Sequence, residues 1–346
     1  MNEFDLAQFD YALSSSRIAQ EPACVRDSSR LLIVERKNKN IKEGIFRDVI
    51  GYFGPSDVLV LNNTKVIKAR LFGQKESGAK VEILLLKEIE PGFWEALVKP
   101  SRRIRINDTI YFDNNRIKAI VQDKTTQGSR ILRFSPLDIN SFLDSVGKVP
   151  LPPYIKKDVD DANKYQTVYA QKEGAVAAPT AGFHFTSQLL SELEQKGVQV
   201  VYVTLHCSLA TFRPVKTDDI RNHTMEAEWV EVSPDAAQII NNAKKQGKRI
   251  VAVGTTSVRA LESTAELGQG NSPLIKEFSG QTNLYIVPGY KFKIVDALIT
   301  NFHTPCSTNL ILASSFCGTE LLRSSYEYAM ENNFRFYSFG DAMFLI

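Results

Sequence analysis

Apolar positions follow two different rhythms along this chain, and the rhythm changes twice. Leu31-Leu32-Ile33-Val34 and Val58-Leu59-Val60-Leu61 are short unbroken apolar runs, the pattern of strands buried on both faces. Between them Phe46, Val49, Ile50 and Phe53 recur at helical spacing until Gly54-Pro55 stops the pattern. From about Val66 to Phe134 short β-rich runs succeed one another: Arg70–Gly73, Lys80–Leu86, Phe93–Val98, Thr109–Phe112, Arg116–Val121 and Arg130–Phe134. Gly78, Pro91-Gly92, Asn107-Asp108, Asp113-Asn114-Asn115 and Gly128 separate them, and such spacing predicts a small barrel or sandwich. The proline-rich segment Gly147–Tyr154 closes this block.

Strands and helices then alternate. Thr186 is placed to cap a helix running to Lys196, with Gly197 after it, and Val198–Thr204 follows as a strand. Ser233-Pro234 reads as N-cap and first helical position, Gly247 as the terminating glycine, and Arg249–Val253 as the next strand. Gly254-Thr255-Thr256-Ser257 opens a helix to about Leu267. Asn283–Val287 and Ala297–Thr300 read as strands, Ser307–Ser315 and Thr319–Glu331 as helices, and Phe336–Ile346 as a final strand. The whole predicts a layered α/β fold with an inserted small β-barrel: residues 1–65 and 149–346 form a discontinuous α/β catalytic domain, and 66–148 the barrel.

Composition changes this picture little. With 43% hydrophobic and 23% charged residues among 346, and a net charge of +3, the chain has a globular make-up that permits a nucleic-acid partner without requiring one. No run approaches the ~20 apolar residues of a membrane span, and MNEFDLAQFDY holds no signal-peptide core. Cys24, Cys207, Cys306 and Cys317 have no C-x-x-C spacing, so no metal site is expected and a reducing cytoplasm is. Nothing signals oligomerisation, and a monomer is the default expectation.

The chemistry concentrates in the four histidines. His184, His206 and His223 fall within Gly174–His223, and His303 lies in ITNFHTP. Each follows or interrupts an apolar stretch, and His206 and His303 fall at strand ends, where α/β sheets hold ligands. Singly, each reads as well as a satisfied core histidine. Val253-Gly254-Thr255-Thr256-Ser257 offers helix N–H groups and hydroxyls to an anion or a ribose, although a capped helix after a strand is ordinary. It is not a Walker loop, since no G-K-[ST] follows. PTAGFHFT is unusually small, which would let a flat ligand approach backbone or simply pack a tight loop. Glu226 and Glu228, after His223, alternate at strand spacing and would share a face. Lys99-Pro100-Ser101-Arg102-Arg103-Ile104-Arg105 is either a solvated charge run or a phosphate-tracking loop.

Together FDYALSSSRIAQEPACVRDSSRLLIV, VLVLNNTKVIKARLFG, GKVPLPPYI, GAVAAPTAGFHFT, VAVGTTSVRALE, LITNFHTPCST and FRFYSFGDAM closely resemble the S-adenosylmethionine:tRNA ribosyltransferase-isomerases of queuosine biosynthesis, nearly end to end. The resemblance implies transfer and isomerisation of the ribosyl group of S-adenosylmethionine onto 7-aminomethyl-7-deazaguanine at the wobble position of a GUN-type tRNA anticodon. Adenine, methionine and epoxyqueuosine-tRNA would be the products, with S-adenosylmethionine a co-substrate and no metal or true cofactor. The rivals are an S-adenosylmethionine-dependent RNA methyltransferase and a weakened, non-catalytic tRNA-binding relative. Against that family's pattern, glycines are replaced by Ser208 and Ala210, a histidine by Glu226 and a lysine by Cys306; either glycine position would strain here if it needs positive φ.

The implied reaction removes a proton beside a sulfonium, expels adenine and frees an amine to attack, all proton transfers near neutrality. His184, His206, His223 and His303 are therefore the candidate acids and bases. Gly254, Thr255, Thr256 and Arg259 would hold the methionine carboxylate or ribose, Glu228 and Asp341 the ribose hydroxyls or ammonium, and Arg102, Arg103 and Arg105 anticodon phosphates.

Overall fold

The structure, a computed structural model, describes residues 2–126, 128–157, 161–208, 214–268 and 272–346. It divides into two compact units: Met1–Lys65, Pro153–Lys172 and Ala178–Ile346 form one, and Val66–Pro152 with Glu173–Ala177 the other.

In chain order the larger unit begins with strands β1 (Arg30–Glu35), β2 (Asn40–Ile45) and β3 (Asp57–Asn62). The smaller unit supplies β4 (Arg70–Lys75), β5 (Lys80–Glu90), β6 (Phe93–Lys99), β7 (Thr109–Phe112), β8 (Ile117–Lys124), β9 (Arg130–Ser135) and helix α1 (Asn140–Val146). The larger unit then resumes with α2 (Ser187–Gln195), β10 (Gln199–Leu205), β11 (Glu228–Val232), α3 (Pro234–Lys245), β12 (Arg249–Val253) and α4 (Gly254–Ser263). β13 (Phe278–Thr282), β14 (Ala297–Asn301), α5 (Thr308–Cys317), α6 (Thr319–Glu331) and β15 (Ala342–Leu345) complete it.

β4 to β9 close into a six-stranded antiparallel barrel in the order β9-β6-β5-β4-β7-β8. Alternation sends Leu71, Ile83, Leu85, Ala96, Val121, Leu132 and Phe134 inward, all buried. All six runs expected from the sequence are present, five starting at the expected residue.

The larger unit holds a nine-stranded sheet in the order β13-β11-β10-β3-β12-β14-β15-β1-β2. β10, β3, β12 and β14 are mutually parallel neighbours, so their C-terminal ends share one edge. β15 runs antiparallel to β14 and parallel to β1, which brings the start of each to that same edge. β11 is antiparallel to β10, so Glu228 at its start arrives there too. Leu59, Leu61, Val251, Val253, Ile299 and Phe344 pack beneath Phe46, Val49 and α2. By alternation Val58, Val60, Ile250, Ala252 and Leu298 face the opposite side.

Several boundaries differ from the sequence reading. Phe46–Tyr52 is a single 3-10 segment, tighter than the expected α-helix, and Asp48 accepts from the Ile45 N–H at its start. β2 went unread because NIKEGI has no apolar stripe; it is an edge strand recruited by pairing with β1. The expected strand at Asn283–Val287 lies instead at Phe278–Thr282, where polar FSGQT pairs with β11. The helix from Gly254 ends at Ser263, and Ala265–Leu267 pairs with Pro273–Ile275. Only Ala342–Leu345 of the final stretch is strand, because Tyr337–Gly340 turns first. Glu226 precedes β11, so it and Glu228 do not share a strand face.

Helix α4 is buried along its length, including Glu262. The Glu262 carboxylate accepts from Ile294 N (2.9 Å), Val295 N (3.0 Å), Lys293 N (2.9 Å) and the Tyr290 hydroxyl (3.2 Å), which locks α4 to the segment entering β14. Glu262→Gln places an amide donor against these N–H groups. It is expected to lower the unfolding free energy by about 2–3 kcal/mol, read from urea denaturation midpoints.

Candidate active site

The convergent sheet edge collects residues from far apart in sequence. Asn62-Asn63-Thr64 leaves β3, His206-Cys207-Ser208 leaves β10, Gly254-Thr255-Thr256 leaves β12 and Phe302-His303 leaves β14. Asn62 staples the first two: its Oδ1 accepts from Thr64 N (3.1 Å) and Leu205 N (3.0 Å), and its Nδ2 donates to Leu205 O (2.9 Å).

Gly254 has φ +84°, a backbone state that favours glycine, at the turn that opens α4. Thr255 Oγ1 donates to Asn309 Oδ1 (3.0 Å), tying the starts of α4 and α5, and Ser257 Oγ is spent on Val253 O (2.7 Å). Thr256 Oγ1 is buried without a hydrogen-bond partner.

Arg259, one turn further, forms a buried ion pair with Glu228; the side chains are 6% and 1% exposed. Its Nε donates to Leu284 O (3.0 Å), and Glu228 Oε1 accepts from Ser208 N (2.7 Å). Nη2 of Arg259 is buried with no partner. Next to Leu284, the Tyr285 ring meets His223 edge-on at 5.3 Å, and the Tyr285 hydroxyl is also buried and unpartnered. Thr308 Oγ1 at the start of α5 and Thr217 Oγ1 complete the set. Val215 N donates to Cys306 O (2.8 Å), which brings the Thr217 segment beside α5. Five of the ten such orphaned atoms among the described residues thus belong to segments joined around this edge. Polar atoms are rarely left so, and a cluster of them marks a place built to receive polar groups.

The histidines do not converge. His184 is buried and stacks on Phe46 at 5.0 Å, on the α2 side of the sheet. Asn301 Oδ1 accepts from Thr180 Oγ1 (3.0 Å), so its Nδ2 donates to His184 Nε2 (3.0 Å). That leaves Nδ1 to carry the proton toward Ser29 Oγ (2.7 Å), an assignment made from the network. Both ring nitrogens are occupied, and burial, with Arg335 and Arg26 adding to it, drives the imidazole down to about 3.

His303 is held similarly. Its ring Nε2 lies 2.8 Å from Thr300 Oγ1, its backbone N–H donates to the Tyr326 hydroxyl (2.8 Å) and its backbone carbonyl accepts from Tyr11; burial lowers the imidazole to about 3. His206 stacks on Trp229 at 4.9 Å with Nδ1 2.7 Å from Thr64 Oγ1. Its Nε2 has no partner among the described residues, and burial outweighs Glu231 to bring it to about 4. Trp229 and Glu228 are adjacent in β11, so His206 lies across the sheet from Arg259. His223 also lacks a ring hydrogen bond among the described residues; burial lowers its pKa while Glu226 opposes that.

Asp341 is buried and engaged: Oδ1 accepts from Arg30 N (3.1 Å) and Oδ2 from Arg335 N (2.7 Å), bracing β1 against the turn before β15. The small residues of PTAGFHFT are filled by the chain itself, since a Cβ on Gly182 would lie 2.0 Å from the Tyr169 hydroxyl. Ser208 does not adopt positive φ, so its replacement of glycine carries no such strain, whereas Ala210 lies outside the described residues. Arg102, Arg103 and Arg105 are exposed on the barrel unit. Their loop is clamped by buried Arg130, which donates to the carbonyls of Ser101 (2.9 Å), Ile104 (3.1 Å) and Gly128 (2.9 Å). No His, Cys, Asp or Glu group able to hold a metal occurs among the described residues, and no helix among them is long and apolar enough to cross a membrane. Tyr285, Thr217 and Thr308 were not singled out by the sequence; a lone hydroxyl beside no motif gives no signal there.

His184, which is buried, and His206 and His303, which are half-buried, are neutral when folded but titrate near an ordinary ~6.5 when unfolded. Their stabilisation is complete above that value and is lost as pH falls below it. Each is expected to cost about 1.4 kcal/mol between about pH 7.5 and about pH 5.5. Urea midpoints across this range measure the loss, and His184→Gln should remove one histidine's share of the slope.

A family model described as "Queuosine biosynthesis protein" matches residues 6–345. A relative from Halothermothrix orenii, named S-adenosylmethionine:tRNA ribosyltransferase-isomerase, is 47% identical over 98% of this chain and 99% of its own length. One of the same name from Caldanaerobacter subterraneus subsp. tengcongensis is 49% identical over 98% and 99%. The crystal structure of S-adenosylmethionine tRNA ribosyltransferase from Thermotoga maritima, 36% identical, superposes with a TM-score of 0.57 over 98% of this chain and all of that one.

Proposed function

Because this chain belongs to the queuosine biosynthesis family, whose members at 47–49% identity are tRNA ribosyltransferase-isomerases, we propose that its sheet edge is where S-adenosylmethionine gives up its ribosyl group to tRNA. The chain is a transferase of this class, and the methyltransferase alternative finds no support in its relatives. The finer reading is that the acceptor is 7-aminomethyl-7-deazaguanine at the wobble position of a GUN-type anticodon, with epoxyqueuosine-tRNA, adenine and methionine released. It takes the enzyme to act as a cytoplasmic monomer without metal or other cofactor.

The unpartnered Arg259 Nη2 carries the site assignment. A guanidinium buried this deeply and paired with Glu228 still has a donor left, and the methionine carboxylate is the anionic acceptor the co-substrate brings. Thr256 Oγ1 and the first N–H groups of α4 add further donors to that position. Glu228 then orients Arg259 instead of meeting the sugar, and Asp341 holds the edge in shape.

His206, His223 and His303 each keep a ring nitrogen without a hydrogen bond among the described residues, and the proton transfers are assigned to the first two because His303 is the most deeply desolvated of the three. His223 stands by Tyr285 and Glu226, near the Arg259 side, where it would take the proton acidified by the sulfonium. His206, on the other face, would deliver a proton to the departing adenine or relieve the attacking amine of one. His184, with both ring nitrogens engaged, acts as a positioning residue, and so does His303, whose Nε2 is held by Thr300.

Adenine release from S-adenosylmethionine with precursor-bearing tRNA tests this. His206→Ala and His223→Ala are expected to lower kcat by about 10²-fold or more, the usual contribution of a general acid or base. Wild-type turnover in both sinks their assignment. Arg259→Lys is expected to raise the KM for S-adenosylmethionine by about 10-fold, the loss of one charged hydrogen bond.

A further inference from the structure

The barrel's outer face carries a feature that the reaction does not use. β4 turns Leu71 inward and Arg70, Phe72 and Gln74 outward, leaving Phe72 54% exposed. Register places Glu82 of β5 opposite Phe72, and Lys80 and Tyr111 opposite Gln74; Lys99 of β6 lies opposite Glu82. These side chains, with Asn114, line a cavity of about 680 Å³.

Cations gather around the ring. The Arg70 guanidinium lies 5.5 Å from its centroid and Lys148 Nζ 5.8 Å. Glu82 is spent on Arg70 (2.7 Å), and Asp113 lies 3.8 Å from Arg116. Lys80, Lys99 and Lys148 have no carboxylate partner among the described residues. A protein or lipid partner would want contiguous exposed apolar surface, whereas Val81 and Phe112 are buried and Phe72 and Tyr111 are flanked by Gln74, Lys80, Glu82, Lys99 and Asn114. An exposed ring with two cations lying over it suits a nucleic-acid strand, whose phosphates draw the cations aside while a flat base takes the ring.

We propose that Phe72 is a stacking platform for an unpaired RNA base, with Lys80, Lys99 and Lys148 meeting the adjoining phosphates. It rests on the tRNA reading above, of which it names a contact surface.

Fluorescence anisotropy with the full chain tests it, using a labelled GUN-anticodon tRNA transcript and, separately, an unstructured oligouridine. Phe72→Ala is expected to weaken both by about 5- to 100-fold, while Phe72→Trp stays within about twofold of wild type. Lys80→Gln with Lys99→Gln should reduce the slope of log affinity on log salt by about 1.4. In turnover, Phe72→Ala should raise the KM for tRNA and leave kcat unchanged. Wild-type affinity in Phe72→Ala, a Trp variant as weak as Ala, or duplex RNA competing as well as single strands overturns the platform. Absence of adenine release by the wild type would sink the reaction reading instead, and the oligouridine arm decides the platform either way.

Discussion

The ion pair between Glu228 and Arg259 is the interaction on which the candidate site depends. Two charges removed from water this completely cost several kcal/mol each unless their remaining hydrogen-bonding capacity is met. Here Glu228 also receives Ser208 N, and Arg259 also reaches Leu284 O, so four separate stretches are bound to one charged centre. These are the start of β11, helix α4, the segment after β13 and the exit from β10. The centre is not saturated, because one guanidinium nitrogen is left over. Its geometry is fixed by folding while its valence stays open.

The histidines show how one residue type divides between structure and chemistry. His184 sits in a chain of donors and acceptors from Thr180 through Asn301 to Ser29, and a proton added there would break a bond already made. Desolvation opposes the same change, so geometry and electrostatics agree that it stays neutral. His206 and His223 have the opposite character, each packed by one aromatic ring and left with nitrogen capacity.

Much of the fold was legible because local signals and tertiary demands coincide. Ser233-Pro234, Arg249–Val253 and Thr319–Glu331 begin where capping and apolar pattern say they should. The misread elements are those whose state is imposed by a neighbour. NIKEGI and FSGQT carry no strand pattern of their own and become strands by pairing with β1 and β11. The site was half legible. Motifs led to Gly254–Arg259, Asn301 and His206, since strand ends mark themselves by small and polar residues. Which of those groups are spent and which are open depends on partners 155 and 311 positions away, Ser29 for His184 and Arg30 for Asp341. The PTAGFHFT glycine misled for the same reason, because its space belongs to Tyr169.

The clamp at Arg130 has a consequence for the exposed arginine loop. Its guanidinium is consumed by backbone carbonyls before and within the Arg102–Arg105 turn, those of Ser101 and Ile104, and Asp108 holds the Arg105 N–H (2.7 Å) and Lys75 (2.8 Å). The entropy of fixing that backbone is therefore spent when the barrel folds, not when a partner arrives. An anion approaching the loop meets three charges whose anchor points are already set, so the loop acts as a rigid electrostatic beacon. Its influence belongs in the rate of encounter and in its dependence on ionic strength, more than in any rearrangement after contact.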